Sequence, residues 1–271
     1  MKKILFATDF SESCDSALSN LMQITDGLDV TIDLAHSYHL PFIRSMRGLE
    51  VSVRQELEIT KKHYQEKLDF RLEKINSKNR GNAHLVYGLV PSTDVIDTAL
   101  SISADLIVLS MRDKYSRMNR IIGTVTAHII QKTNIPVLAI PFGANFSKID
   151  KVLYPFDSNS TALAKNTIYE DAQWLEDLLR GSQEIVYDII HVKHSDFESL
   201  DINYPNQPSI GFNFKITHSS SIEEGIHNAI SRNRYDLLLL RKNPSNLLKR
   251  IFNSSKTTNF LYNSNLPLLA V

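Results

Sequence analysis

Residues 105–140 read DLIVLSMRDKYSRMNRIIGTVTAHIIQKTNIPVLAI, and residues 236–271 read DLLLLRKNPSNLLKRIFNSSKTTNFLYNSNLPLLAV. The two stretches align without a gap: Asp105 falls on Asp236, Asn134 on Asn265, Pro136 on Pro267 and Ala139 on Ala270. The openings of the two halves match as well, KKILFATDFSES at Lys2–Ser13 and DKVLYPFDSNS at Asp150–Ser160. An internal repeat sets the architecture before any motif is weighed. It also provides a comparison within one chain, because a residue that a shared site needs is expected in both copies.

A chain of 271 residues is long for one domain and comfortable for two. The repeat places them at 1–143 and 148–271, each large enough to bury a core of its own. Hydrophobic content of 42% and charged content of 22% are those of an ordinary globular protein. The formal net charge of zero gives no electrostatic reason to expect nucleic acid or an anionic membrane as partner. A single cysteine, Cys14, excludes an intrachain disulfide and fits a reducing compartment. With no pairing base evident, Cys14 reads as a structural thiol and not as a nucleophile. Met1-Lys2-Lys3 is followed by only a short apolar run before Asp9, which is no signal peptide, and no apolar stretch reaches the length of a membrane span. A cytoplasmic location is the expectation.

Along the first copy, Ile4–Thr8 is a short apolar run closed by Asp9-Phe10-Ser11, a buried strand and a turn. Helical spacing then puts Ala17, Leu18, Leu21 and Ile24 on one face, with Ser11 or Ser13 as cap and Asp26-Gly27 as stop. Val30–His36 alternates as a second strand. Leu49–Ile75 is a long charged helix with one apolar stripe, Val53, Leu57, Tyr64, Leu68, Leu72 and Ile75. Ala83–Tyr87 is a third strand, a helix starts at Val90-Pro91-Ser92, Leu106–Leu109 is a fourth and fully buried strand, 123–132 is helical, and Pro136 leads into a fifth strand, Val137–Ile140. Strands alternating with helices mean a parallel sheet. After the linker 141–145 the order recurs: strand Val152–Pro155, helix 161–179, strand Ile185–Val192, strand Phe212–Thr217, helix Ile222–Arg232, strand Leu237–Leu240, helix 257–262 and strand Leu268–Val271. One place differs. Where the first copy has its long charged helix, the second has Asp196–Gly211, with two prolines and little periodicity, which reads as a loop in a reduced second domain.

KKILFATDFSE, the DLIVLS strand, the Gly123-Thr124 helix start and the closing NIPVLAIP together resemble the universal stress protein family, over essentially the whole chain as two tandem copies. The resemblance implies an α/β fold: two Rossmann-like (adenine nucleotide alpha hydrolase-like) domains, each a five-stranded parallel sheet flanked by helices, paired as a pseudo-dimer through their last strands. Some members of that family bind ATP, through a motif of Gly, two residues, Gly, nine residues, Gly, then Ser or Thr. Glycines let backbone approach phosphate, and a helix N-terminus offers N–H groups to the anion. Others lack the motif and hold no nucleotide.

Carried onto this chain, the resemblance places the candidate nucleotide contacts of the first copy at Asp9, Ser110, Asp113, Gly123, Thr124 and Val125. Asp9, Gly123 and Thr124 match the pattern, whereas Ser110 and Asp113 stand where the first two glycines belong. Side chains there add bulk at the phosphates, and Asp113 adds a negative charge; Arg112 and Lys114 supply positive charge without close backbone. The second copy departs further, with Arg241 and Pro244 at the glycine positions and Ser254-Ser255 for Gly-Thr, although Asp157 is kept. Gly123-Thr124 is equally read as a turn and helix cap, which needs no ligand.

His36 with His39, and His191 with His194, recur at matched places, but no cysteine or acidic cluster completes a metal site. No G-x-S-x-G, H-E-x-x-H or Walker lysine loop is present, so no catalytic residues are expected. Trp174 falls on the apolar face of a helix. The expectation is a non-catalytic tandem stress protein with a degenerate nucleotide site and no resident cofactor, acting on a protein partner or a small metabolite. Two alternatives stay open: ATP binding, with or without slow hydrolysis, in the first domain only, and a metal- or small-ligand-binding member. Intrachain pairing of the last strands covers their edges, and a homodimer of two such chains is a further option.

Overall fold

The computed structural model describes residues 2–39, 50–111, 124–144, 148–156, 164–179, 184–193, 211–219, 222–242 and 266–271. The first half runs β1 (Lys2–Ala7), α1 (Glu12–Ile24), β2 (Val30–Tyr38), α2 (Glu50–Leu72), β3 (Arg80–Tyr87), α3 (Pro91–Ser101), β4 (Leu106–Met111), α4 (Thr124–Lys132) and β5 (Val137–Pro141). The second runs β6 (Lys151–Phe156), α5 (Ala164–Leu179), β7 (Val186–Lys193), β8 (Gly211–His218), α6 (Ile222–Arg232), β9 (Leu237–Leu240) and β10 (Leu268–Ala270). The expected loop at 196–211, apart from Gly211 at the start of β8, and the expected helix at 257–262 lie outside the described residues.

The ten strands among the described residues form one sheet in the order β3-β2-β1-β4-β5-β10-β9-β6-β7-β8. Each half is parallel, and the halves meet where β5 and β10 pair antiparallel. The repeat is preserved in register. Ile4 pairs with Leu106 and Leu5 with Ile107 in the first half; their counterparts pair as Val152 with Leu237 and Leu153 with Leu238. At the seam Leu138 faces Leu269, its own counterpart, so a pseudo-two-fold axis passes between them. The flanking pairs, Ala139–Leu268 and Val137–Ala270, are related by that axis, and all six residues are buried.

The sheet is covered on both faces, which is why its inner strands β4, β5, β9 and β10 are nearly continuous apolar runs and do not alternate. One layer packs Ile4, Phe6, Leu106 and Val108 with Val152, Tyr154 and Leu237 under α1, α2 and α5. The other packs Leu5, Ile107, Leu109 and Ala139 with Leu153, Leu238 and Leu268 beside α3, α4 and α6. The stripe foreseen on α2 is real: Leu68 is fully buried, as is Ile75 just beyond the helix. Trp174 is half-buried against the first of these layers.

Covering both faces traps one carboxylate in each half. Asp33 on β2 and Asp188 on β7 occupy equivalent positions and are essentially inaccessible. A buried carboxylate needs partners, and the outer strands supply them. His84 on β3 places Nε2 2.8 Å from Asp33 Oδ2, and the Asn82 N–H donates to Oδ1 at 3.0 Å. In the second half Lys215 on β8 stands at the equivalent place and donates to Asp188 Oδ2 at 2.6 Å, joined by Tyr235 at 2.8 Å, Asn213 at 3.1 Å on Oδ1, and Lys151 at 3.3 Å. These hydrogen bonds hold both carboxyls below the usual aspartate range although burial pushes the other way. Gly81 follows from the same packing, because a Cβ there would overlap Asp33 Oδ1 and crowd the Ile32 carbonyl.

Candidate functional site

From the neighbouring strands β1 and β4 the order runs outward in opposite directions, toward β2 and toward β5. Open α/β sheets hold ligands in the crevice beyond the carboxyl ends of such a pair. Here that crevice is bounded by Thr8–Ser11, the first turn of α1, Ser110 of β4 and the start of α4.

Phe10 turns the chain with φ of 65°, an uncommon conformation for a residue with a Cβ. Ser11 then caps α1, its Oγ accepting the Cys14 N–H at 3.4 Å. Asp9 Oδ1 accepts the Ser11 N–H at 2.9 Å and the Cys14 thiol at 3.2 Å. Cys14 Sγ lies 3.0 Å from Ser110 Oγ. With the thiol hydrogen on Asp9, the serine hydroxyl is the donor to sulfur. Three side chains, from the turn after β1, from α1 and from β4, thus form one hydrogen-bonded chain across the crevice. Among the predicted contacts, the structure brings Asp9 and Ser110 together through Cys14 and begins α4 at Thr124, with Val125 exposed in its first turn. Asp113 and Gly123 lie outside the described residues.

The side of the crevice toward α2 is a wall of rings that sequence reasoning did not foresee. Phe10 stacks on Tyr64 at 5.9 Å between centroids, and His36 sits between them at 4.2 Å and 4.8 Å. Tyr38 continues the wall, 5.7 Å from Tyr64 and 5.5 Å from Tyr87. Lys67 lies over the Phe10 and Tyr64 rings, and the Arg71 guanidinium is 4.9 Å from the Phe10 centroid. Arg71 is also bidentate to Asp15, at 2.6 and 2.9 Å, and donates to the Phe10 carbonyl. The available signal was the spacing of Tyr64, Lys67 and Arg71 on one face of a helix. Burial, with Lys67 and Arg71 nearby, holds His36 below the usual imidazole range, while its Nδ1, 2.8 Å from the Thr8 carbonyl, works in the opposite sense. His36 thus takes a place in the core; its companion His39 is exposed, and His194 lies outside the described residues. Among the described residues no cluster of three or more potential metal ligands occurs.

The second half fills the corresponding position differently. Arg241, the counterpart of Ser110, turns toward α5 and donates to Asp171 at 2.9 and 3.0 Å and to the Thr167 carbonyl at 3.1 Å. Tyr154 donates to the same carboxylate at 2.6 Å. Burial nevertheless pushes the Asp171 carboxyl up. Asp157, Pro244, Ser254 and Ser255 lie outside the described residues.

Comparison with known proteins adds three findings. Residues 1–141 match the model of the universal stress protein family. A universal stress protein of Methanocaldococcus jannaschii is 25% identical over 155 residues, which cover 51% of this chain and 94% of the relative. Among solved structures, a universal stress protein from Archaeoglobus fulgidus superposes with a TM-score of 0.71 at 15% identity, covering 99% of this chain and 95% of the other. A putative universal stress protein from Pseudomonas aeruginosa gives 0.56 at 9% identity, covering 100% and 93%. At such identities the structural matches establish the fold alone, and they do so for both halves together.

Proposed function

The chain belongs to the universal stress protein family, and from that premise we propose that it is a non-catalytic, tandem binding protein of the stress response whose first-half nucleotide site is degenerate. The observation that supports this reading best is the Asp9–Cys14–Ser110 chain. Where nucleotide-binding members of the family place glycine backbone against phosphate, this chain has a serine hydroxyl engaged by a thiol. In the second half, Arg241 at the same position is engaged by Asp171. Within each half the polar groups at this place engage their own neighbours, which favours a role in binding a protein partner or a small metabolite over phosphate chemistry. Among the described residues no helix is long and apolar enough to cross a membrane, and a cytoplasmic setting fits the single buried thiol.

One observation favours a second reading, ATP held in the first half only. Asp9 is exposed just past β1, and α4 starts at Thr124, where a helix N-terminus offers backbone N–H groups to an anion. Assay of nucleotide released from freshly purified protein, followed by calorimetry with ATP and Mg²⁺, decides between them. The degenerate-site reading expects no released nucleotide and no heat at millimolar ATP. Stoichiometric tight ATP would overturn it.

A further inference from the structure

Lys242 follows β9 in the second half, yet its side chain serves the first. Its Nζ donates to the Thr133 carbonyl at 3.3 Å and to the Ile135 carbonyl, both just past the C-terminal end of α4. Its backbone N–H is fixed in turn by the Val271 carbonyl at 2.7 Å, next to β10. The pseudo-two-fold counterpart of Lys242 is Met111, which is buried at the end of β4. An ammonium has therefore replaced, or been replaced by, a thioether at one of two equivalent places on the seam. Burial lowers Lys242 to about 7, and its amine donates to the two carbonyls at the end of α4.

We infer that Lys242 is a positioning residue through which the second half holds the first half's site helix, capping the C-terminal end of α4 across the seam. The opposite end of α4 carries Thr124 and Val125, on the crevice described above. At the level of side chains α4 is also tied to α3, with Ser92 Oγ 2.8 Å from His128 Nδ1, and its Ile129 and Ile130 are fully buried. Lys242 adds an anchor at the far end, from the other repeat. The asymmetry gives the second half a task that does not depend on a ligand site of its own.

The test is amide hydrogen exchange of the intact chain without ligand, so its outcome is independent of whether nucleotide binds. Lys242→Met, which installs the residue of the equivalent position, is expected to speed exchange of the α4 amides by roughly three- to thirty-fold, the order expected when buried carbonyls lose their donor. The β1 and β6 amides should keep their protection. Lys242→Arg, which keeps N–H donors, should hold the α4 rates within about twofold of the unaltered chain, against the several-fold rise expected on loss of the donors. Unchanged α4 exchange in Lys242→Met, equal acceleration throughout both halves, or an arginine variant as fast as the methionine variant would each overturn the assignment. If Lys242→Met does not fold, Lys242→Gln, neutral and shorter, is read by the same outcomes.

Discussion

The two buried carboxylates offer a quantitative comparison inside one molecule. Take away the side chain that faces each from the edge strand, with His84→Met in the first half and Lys215→Met in the second. Among the described residues Asp33 then retains the Asn82 N–H at 3.0 Å, while Asp188 retains Tyr235 at 2.8 Å, Asn213 at 3.1 Å and Lys151 at 3.3 Å. Breaking a buried pair by deleting one partner costs about 3–5 kcal/mol when the survivor is left alone. His84 is a quarter exposed, so water reaches its side of the pair, and the lower end, about 3 kcal/mol, is the expected loss for His84→Met. Lys215 is 43% exposed and leaves a carboxylate with three donors, so its removal should cost about 1 kcal/mol. A gap of about 2 kcal/mol corresponds to roughly 4–8 °C in thermal midpoint for a protein of this size. The pH dependence carries the same signature. Both carboxyls are held below the usual value, so their contribution is present above the unfolded pKa and is lost as pH falls through the folded one, on the acid side. In His84→Met burial is no longer opposed by the imidazole, and the acid transition should move toward neutral pH; in Lys215→Met it should barely move. Urea and thermal unfolding from pH 4 to 8 measure both. Equal losses, or a larger loss for Lys215→Met, would refute the reasoning that donor count at the buried carboxylate governs the cost.

Other outcomes follow from the same structure. Leu138→Ala and Leu269→Ala each remove a buried leucine at the seam and should each cost about 2–5 kcal/mol; because the two residues face each other, the double variant should deviate from the sum by more than about 0.5 kcal/mol in chemical denaturation. Lys242 has a folded value of about 7, below the unfolded value of about 10.4. The unfolded chain therefore binds more protons between those limits, and stability relative to Lys242→Met should rise over that range by at most about 1.4 kcal/mol per pH unit. Gly81→Ala should destabilise by more than the few tenths of a kcal/mol typical of a surface change, about 1–3 kcal/mol for forced overlap, since the new Cβ meets Asp33 and the Ile32 backbone; an unchanged melting curve would argue against that contact. Arg241→Met should cost about 1–3 kcal/mol by leaving the buried Asp171 with Tyr154 as its remaining partner among the described residues, seen as a lowered urea midpoint.

The repeat made the architecture readable, because two gapless copies of strand, helix and Pro-entered strand constrain each other. The elements Leu237–Leu240 and Ile222–Arg232 fall where their periodicity puts them. The carboxylates were less visible. In Val30–His36 the polar Asp33 looks like the outward member of an alternating strand, but a sheet covered on both faces turns that position inward, and its partner is 51 residues away on β3. The site shows the same limit. Asp9 and Ser110 were named from the family pattern, whereas the link between them depends on Cys14, which meets Ser110 across 96 residues. Tyr64 was read as part of the apolar stripe of a helix, but that it would meet His36 and Phe10, with Lys67 and Arg71 beside them, depended on how α2 settles on β2 and β3.

Antiparallel pairing of β5 with β10 has a consequence for mass action. Two separate chains meeting at such a seam would part on dilution, and their folded state would depend on concentration. Tethered in one polypeptide, the partners see each other at a fixed effective concentration, of millimolar order for short flexible linkers. Neither half can be lost to the other by dilution, and neither has to match a copy of itself. A substitution on one side of the axis, such as Arg241 opposite Ser110 or Lys242 opposite Met111, is then never imposed on its twin.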